Sequence, residues 1–351
     1  MKKNALIMLI ALLPLAVNAQ EHPYSNEDGK IVDKEVLEVK DYMPEIHGTI
    51  RSKYEYQTTI GAGRFEVRNA RVSFTGNVLP TVAYKAEIDL SDEGQIKMLD
   101  AYTRLFPTKG LTLTAGQMRV PFTIDAHRSP HQQYFPNRSF IAKQVGNVRD
   151  VGLTVGYTFD TDMPITVEGG FFNGSGLTNQ KEWHKEVNYS AKAQFLFTKG
   201  LNLTLSLQSI QPEEVRMQSY DIGAYYESGR FHIEGEYLYK QYSDNAFGDV
   251  QAVNAFVNYD LPLRKVFNQM SFLLRYDMMT DQSDAKATNE AGELIITDYK
   301  RQRLTGGITF SLSKAFRTDL RLNYEKYFYA KNSIAKESEQ DKIVLELMVR
   351  F

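Results

Sequence analysis

The ten residues Lys342-Ile343-Val344-Leu345-Glu346-Leu347-Met348-Val349-Arg350-Phe351 decide how the rest of the chain is read. In an extended strand, successive side chains point to opposite faces. Ile343, Leu345, Leu347, Val349 and Phe351 therefore share one unbroken apolar face. Val344, Glu346, Met348 and Arg350 share the other. An ordinary sandwich strand shows the same alternation, so this stretch alone does not separate a soluble sheet from a membrane barrel.

Working outward from it, the alternation recurs from Ile46 onward. Ile46, Gly48, Ile50, Tyr54 and Tyr56 oppose Arg51, Lys53 and Glu55. Val82, Tyr84, Ala86, Ile88 and Leu90 oppose Lys85, Glu87 and Asp89, and Leu201, Leu203, Leu205 and Leu207 oppose Asn202, Thr204, Ser206 and Gln208. The second strand is expected to start at residue 69. Continued to the end, the pattern gives sixteen strands. Between them, tight connections rich in Gly, Pro or Asp at 77–81, 107–110, 160–164, 198–200 and 227–230 alternate with long polar ones at 120–149, 173–186, 211–218, 281–300 and 331–341. Short turns on one side and long loops on the other are what an outer-membrane barrel requires. Two connections fit less well: 91–95 is short for its side and 260–269 is long.

Residues 1–19 read as a secretory signal peptide, with Lys2 and Lys3 before an apolar run and Val17-Asn18-Ala19 at the cleavage site. Residues 20–45 are polar and are expected to be a periplasmic lead-in, mobile or briefly helical, ahead of the barrel at 46–351. After residue 19 no stretch approaches the roughly 18 apolar residues of a membrane helix. The chain has no cysteine, so disulfide bracing does not hold it together. A net charge of −2 argues against a nucleic-acid partner. The 21 Tyr and 20 Phe beside one Trp suit side chains at a lipid–water boundary.

The sequence nominates no catalytic set. Asn173-Gly174-Ser175-Gly176 lacks the spacing of a nucleophile elbow. His127 and His131 stand four apart, but Pro130 argues against the helix that would align them, and two ligands fall short of a metal site. No enzyme activity and no cofactor are expected.

The segment Gly116-Gln117-Met118-Arg119-Val120-Pro121-Phe122-Thr123, the run Arg149-Asp150-Val151-Gly152-Leu153-Thr154-Val155-Gly156-Tyr157 and the triplet Asp100-Ala101-Tyr102 resemble the phosphate-selective porin O and P family. The strand ending on Phe351 resembles the closing strand and assembly signal of bacterial outer-membrane β-barrels. The resemblance implies a sixteen-stranded all-β transmembrane barrel, a homotrimer, whose third extracellular loop folds into the lumen. It also implies outer-membrane lipid and the barrel assembly machinery as partners.

Family likeness alone does not give phosphate specificity, so the charges on the expected inward face matter. Ten are basic, among them Arg51, Lys53, Arg71, Lys85 and Arg104, against thirteen acidic, a net −3. Within 119–149, Arg119, Arg128, Arg138, Lys143 and Arg149 face only Asp125, a net +4. Charge held in a narrow low-dielectric pore acts on every passing ion. The reading is therefore a passive porin for small hydrophilic solutes, with an anion or phosphate preference as its narrower form. The alternative is a surface or periplasmic all-β protein that grips a glycan with its tyrosines.

Overall fold

The computed structural model describes residues 24–25, 31–32 and 42–351, apart from 93, 145–148, 199, 314–315 and 331–332. The expected signal peptide and most of the lead-in lie outside the described residues. Within the lead-in, Tyr24–Ser25 and Ile31–Val32 pair antiparallel.

Sixteen strands follow: β1 (Glu45–Gln57), β2 (Ala62–Leu79), β3 (Val82–Asp92), β4 (Gln95–Thr108), β5 (Leu111–Arg119), β6 (Arg149–Phe159), β7 (Ile165–Phe172) and β8 (Asn188–Thr198). The second half is β9 (Leu201–Ile210), β10 (Met217–Ser228), β11 (Phe231–Tyr242), β12 (Val250–Pro262), β13 (Gln269–Met279), β14 (Arg301–Ser313), β15 (Arg317–Tyr329) and β16 (Lys342–Arg350). Each pairs with the next, and β16 returns to β1 to close the ring. At the seam, Lys342 lies opposite Gln57 and Arg350 opposite Thr49. Closure leaves no strand edge with unpaired backbone groups, which lipid cannot satisfy.

The two faces are sorted as the alternation requires, but inverted relative to a soluble protein. Ile343, Leu345, Leu347, Leu205, Ile222, Leu274 and Leu322 are exposed on the outside. Glu346, Thr204, Asp221, Arg275 and Arg321 are buried on the inside. An apolar belt turned outward is stable where lipid, not water, covers it.

Connections at one end are short: 80–81, 109–110, 160–164, 199–200, 229–230, 263–268 and 314–316. The other end carries 120–148, 173–187, 211–216, 243–249, 280–300 and 330–341, but also the brief 58–61 and 93–94. The two misfits noted in the sequence are real features of the fold.

Two strands start earlier than the alternation suggests. β2 begins at Ala62 because its register shifts against β1 between Arg51 and Ser52, where Asn69 and Val67 are the partners. One extra residue, Arg68, changes the parity of the outward set from Phe65 and Val67 to Ala70 and Val72, so the period appears to stop. β14 begins at Arg301, which puts Arg301 and Arg303 on the inward face. Together with Lys342 on β16, they narrow the expected acid excess of the wall.

Candidate functional site

Residues 120–144 are a long connection that carries three short helical turns, Asp125–His127, Pro130–Gln132 and a five-residue helix, α1 (Phe140–Gln144). Their contacts run around the ring. The Ser190 hydroxyl of β8 donates to the Pro121 carbonyl at 2.8 Å. Thr123 N–H donates to Ser206 Oγ of β9 at 3.0 Å, and Ile124 N–H to Glu236 Oε1 of β11 at 2.5 Å. Phe140 N–H reaches Asp277 of β13 at 3.2 Å. Arg275 and Arg303 donate to the carbonyls of Asn137 and Arg138 at 2.9 and 2.7 Å. Arg51 of β1 donates to Pro136 O at 2.6 Å and Gln133 Oε1 at 2.5 Å.

Apolar packing fixes the ends of this segment. Val120, Phe122, Phe140 and Ile141 join Ile210, Met217, Leu238, Val250, Ala252 and Met279 in one buried cluster. Those wall residues sit at the ends of β9 to β13 nearest the long connections, and the loop covers them. The middle of the segment is polar. There the Arg275 guanidinium lies 4.3 Å from the Phe135 ring centre and Arg128 lies 5.3 Å from Tyr134, both within reach of a cation–π attraction.

The five cations expected to act on passing ions fare differently. Arg128 pairs in bidentate fashion with Glu234 and lies 3.4 Å from Asp125. Burial opposes its charge, but Glu234 outweighs burial and raises its pKa. Lys143 pairs with Glu339. Arg149 pairs with Asp100 at 2.5 Å and Glu87 at 3.0 Å. Arg119 donates to the carbonyls of Ala126 and His127. Arg138 donates to the carbonyl of Arg128 at 3.4 Å. Neither Arg119 nor Arg138 has a carboxylate within salt-bridge distance among the described residues. Burial, and then Arg119 beside it, press the Arg138 pKa downward. Asp125 is buried too, which alone would raise its carboxyl; Arg128 and the hydrogen bonds from Ser139 hold it low.

Four of the five expected wall cations are ion-paired. Arg51 meets Glu346 at 2.7 Å, Lys53 meets Glu55 at 2.8 Å, Arg71 meets Asp89 at 2.9 Å, and Lys85 meets Glu87 at 3.3 Å. Arg104 instead donates to Thr114 at 3.1 Å and lies over the Tyr102 ring. A net charge count misses this, because cross-strand pairing cancels fields locally that the sum keeps. Opposite charges meet only once the register is known, as Lys53 opposite Glu346 does across the seam.

Ser129, Pro130 and His131 stand opposite β1, β2, β3 and β16 across a cavity of about 30 Å³ lined also by Arg71, Lys85, Glu87 and Arg350. His127, by contrast, turns its ring nitrogen to the Val120 carbonyl. The two histidines serve different surroundings.

Residues 45–208, just under half of the chain, match the family model described as phosphate-selective porin O and P. The chain has the barrel fold of outer-membrane porins. No curated protein matches it by sequence. Among solved structures the chain is similar to OmpF of Salmonella typhi in complex with daunomycin, at 11% identity and a TM-score of 0.61, covering 90% of this chain and 99% of that one. It is also similar to the anion-selective porin from Comamonas acidovorans, at 13% identity and 0.59, covering 88% and 98%. The trimer form of in-vitro folded OmpT from Vibrio cholerae is similar at 10% identity and 0.54, again covering 88% and 98%. At these identities the likeness concerns the barrel fold.

Proposed function

We propose that residues 120–144 lie across the lumen as the constriction of this porin. On this reading solutes pass between residues 128–131 and the wall of β16, β1, β2 and β3, and anions pass more readily than cations. The observation that carries it is the chemistry of that gap: Arg350, with no carboxylate within salt-bridge distance among the described residues, lines it beside the ion-paired Arg71, Lys85 and Glu87. Arg119 and Arg138, with no carboxylate partner among the described residues, add charge from the loop side. A low-dielectric wall focuses such fields and raises the local anion concentration.

Phosphate is the narrower candidate solute, supported by the family likeness over residues 45–208. The trimer form recorded for the Vibrio cholerae protein supports extending a homotrimer to this chain, inserted in outer-membrane lipid by the assembly machinery with Phe351 as part of the signal. Reversal potentials of the purified porin in planar bilayers under a potassium chloride gradient test the preference. An anion-sided potential that falls when inorganic phosphate is added supports it. A cation-sided potential overturns it.

A further inference from the structure

Between the loop and the wall of β12 and β13 lies a second cavity, lined by Gln133, Phe135, Arg138, Asn254, Phe256 and Arg275 and also by Asp125 and Arg128. Arg275 and Gln133 are 3% and 4% exposed. Nε and Nη2 of Arg275, and Nε2 of Gln133, make no hydrogen bond among the described residues, although Arg275 Nε lies 3.8 Å from Asp277 Oδ1. Buried donors are almost always bonded, and leaving a charged one unbonded is costly. Here two side chains that carry three unbonded donor atoms line one space, and Arg138 lines it too.

The acceptors nearby are already engaged or are reorientable. Asp125 Oδ1 faces Arg128 at 3.4 Å, and Oδ2 accepts from Ser139 N–H and Oγ–H at 3.1 and 2.6 Å. Asn254 Oδ1 is unpartnered as well. That side chain carries an amide NH₂ as well, and a half-turn presents it to the cavity instead. Phe135 against Arg275, with Phe256 behind it at 5.6 Å, covers one side of the guanidinium with aromatic rings.

We propose that this cavity holds one small monovalent anion of chloride size, bound to Arg275 and Gln133 and fastening the loop to the wall. The space is about 10 Å³, room for roughly one water-sized body, which is too small for sulfate or phosphate. A water has two acceptor lone pairs and no charge, whereas the site offers more donors than two and carries cationic ones. A halide accepts them all. This ion is fixed in the seam and does not permeate, so the site goes beyond the proposed conduction path.

Crystals of the full-length porin soaked in sodium bromide test it, with anomalous scattering at the bromine edge locating the ion. A bromide peak within reach of Arg275 Nη2 and Gln133 Nε2, absent in Arg275→Gln and weakened in Gln133→Leu, is the expected result. In solution the unfolding temperature should be higher in chloride than in gluconate at equal ionic strength, and Arg275→Gln should lose that difference. If Arg275→Gln does not assemble, Gln133→Leu decides alone. No peak in the cavity, a water in its place, or a peak that persists unchanged in the variants overturns the site. A wild-type anion preference without the peak rejects this inference and leaves the channel reading standing. The peak without the preference does the reverse.

Discussion

Gly48 and Phe351 meet across the seam that closes the ring. The Gly48 N–H donates to the Phe351 main-chain oxygen at 2.6 Å, and the Phe351 N–H donates to the Gly48 carbonyl at 3.0 Å. The Phe351 ring fills the space that a Cβ on Gly48 would need. Glycine in a strand usually weakens it, but here its bare backbone lets an aromatic lie flat over the joint. Gly48→Val should displace the ring and destabilise the closed barrel by about 1–3 kcal/mol, the usual penalty of overpacking. Deleting Phe351 should leave unassembled precursor. The fraction of heat-modifiable protein on unboiled gels measures both, and normal yields from both variants would remove Phe351 from assembly.

The facing of the wall predicts a paired outcome on β7. Val167 is exposed on the outside, while Thr166 faces inward, with its hydroxyl 3.2 Å from that of Thr158. Val167→Arg should lower folding stability, the lipid-face penalty rising from about 0–1 kcal/mol at the interface toward roughly 2–4 kcal/mol at mid-membrane. Thr166→Arg should fold and change conductance. Ser206 is unsuitable for such a test although it also faces inward, because it accepts from Thr123 N–H and anchors the loop. Equal loss of folded barrel in both β7 variants would contradict the assigned faces.

Loop cations that look alike in the sequence should not behave alike. Arg138→Glu is expected to move the reversal potential toward cations, most strongly in dilute salt where screening is weak. Lys143→Glu should move it less, since Glu339 already balances Lys143. An unchanged potential for Arg138→Glu at low ionic strength would place its charge out of reach of permeating ions.

Arg128 and Glu234 tie the middle of the loop to β11 in a buried pair. Removing one partner of such a pair typically costs about 3–5 kcal/mol, because the other charge is left buried and alone. The barrel does not depend on this tie, so the effect of Glu234→Ala should concentrate in the loop. Single-channel records are expected to show larger and noisier conductance with the heat-modifiable band retained. Quiet, wild-type openings would mean that the apolar cluster alone holds the loop.

Acid should sharpen the anion preference late. Burial, followed by the fields of Arg350 and Arg317, pushes the His131 pKa down to about 3. The ring therefore stays neutral from pH 8 down to about pH 4 and becomes cationic only as pH falls through about 3. A depressed histidine pKa also means that protonation opposes the folded arrangement in that range. Reversal potentials in wild type and His131→Asn should coincide above pH 5 and separate below pH 4. Separation near pH 6.5 would indicate a solvated ring.

Strand number and facing were legible because one face had to satisfy lipid and the other water, and a period of two records that choice residue by residue. The start of β2 was not, since a single bulged residue at Arg68 changes the parity and the eye reads a changed parity as an end. The loop's attachment was hidden for a different reason. Leu238, Val250, Ala252 and Met279 are apolar on the inward face, where the barrel rule expects polar groups, and their partners Phe122, Phe140 and Ile141 lie far back along the chain in a stretch without period. Apolar residues on both faces of neighbouring strand ends were the available signal. The pairing of wall cations was hidden too, because it depends on register.

The seam between β1 and β16 sets a timetable for the chain. Arg51 and Glu346 meet inside it although 295 positions separate them. Contacts so distant cannot form until nearly the whole polypeptide is present, and folding slows as partners lie farther apart along the chain. During all that time β1 has an open edge. The nascent protein must therefore be kept from pairing wrongly, and a truncation anywhere upstream of β16 should yield not a smaller channel but an unsealed sheet.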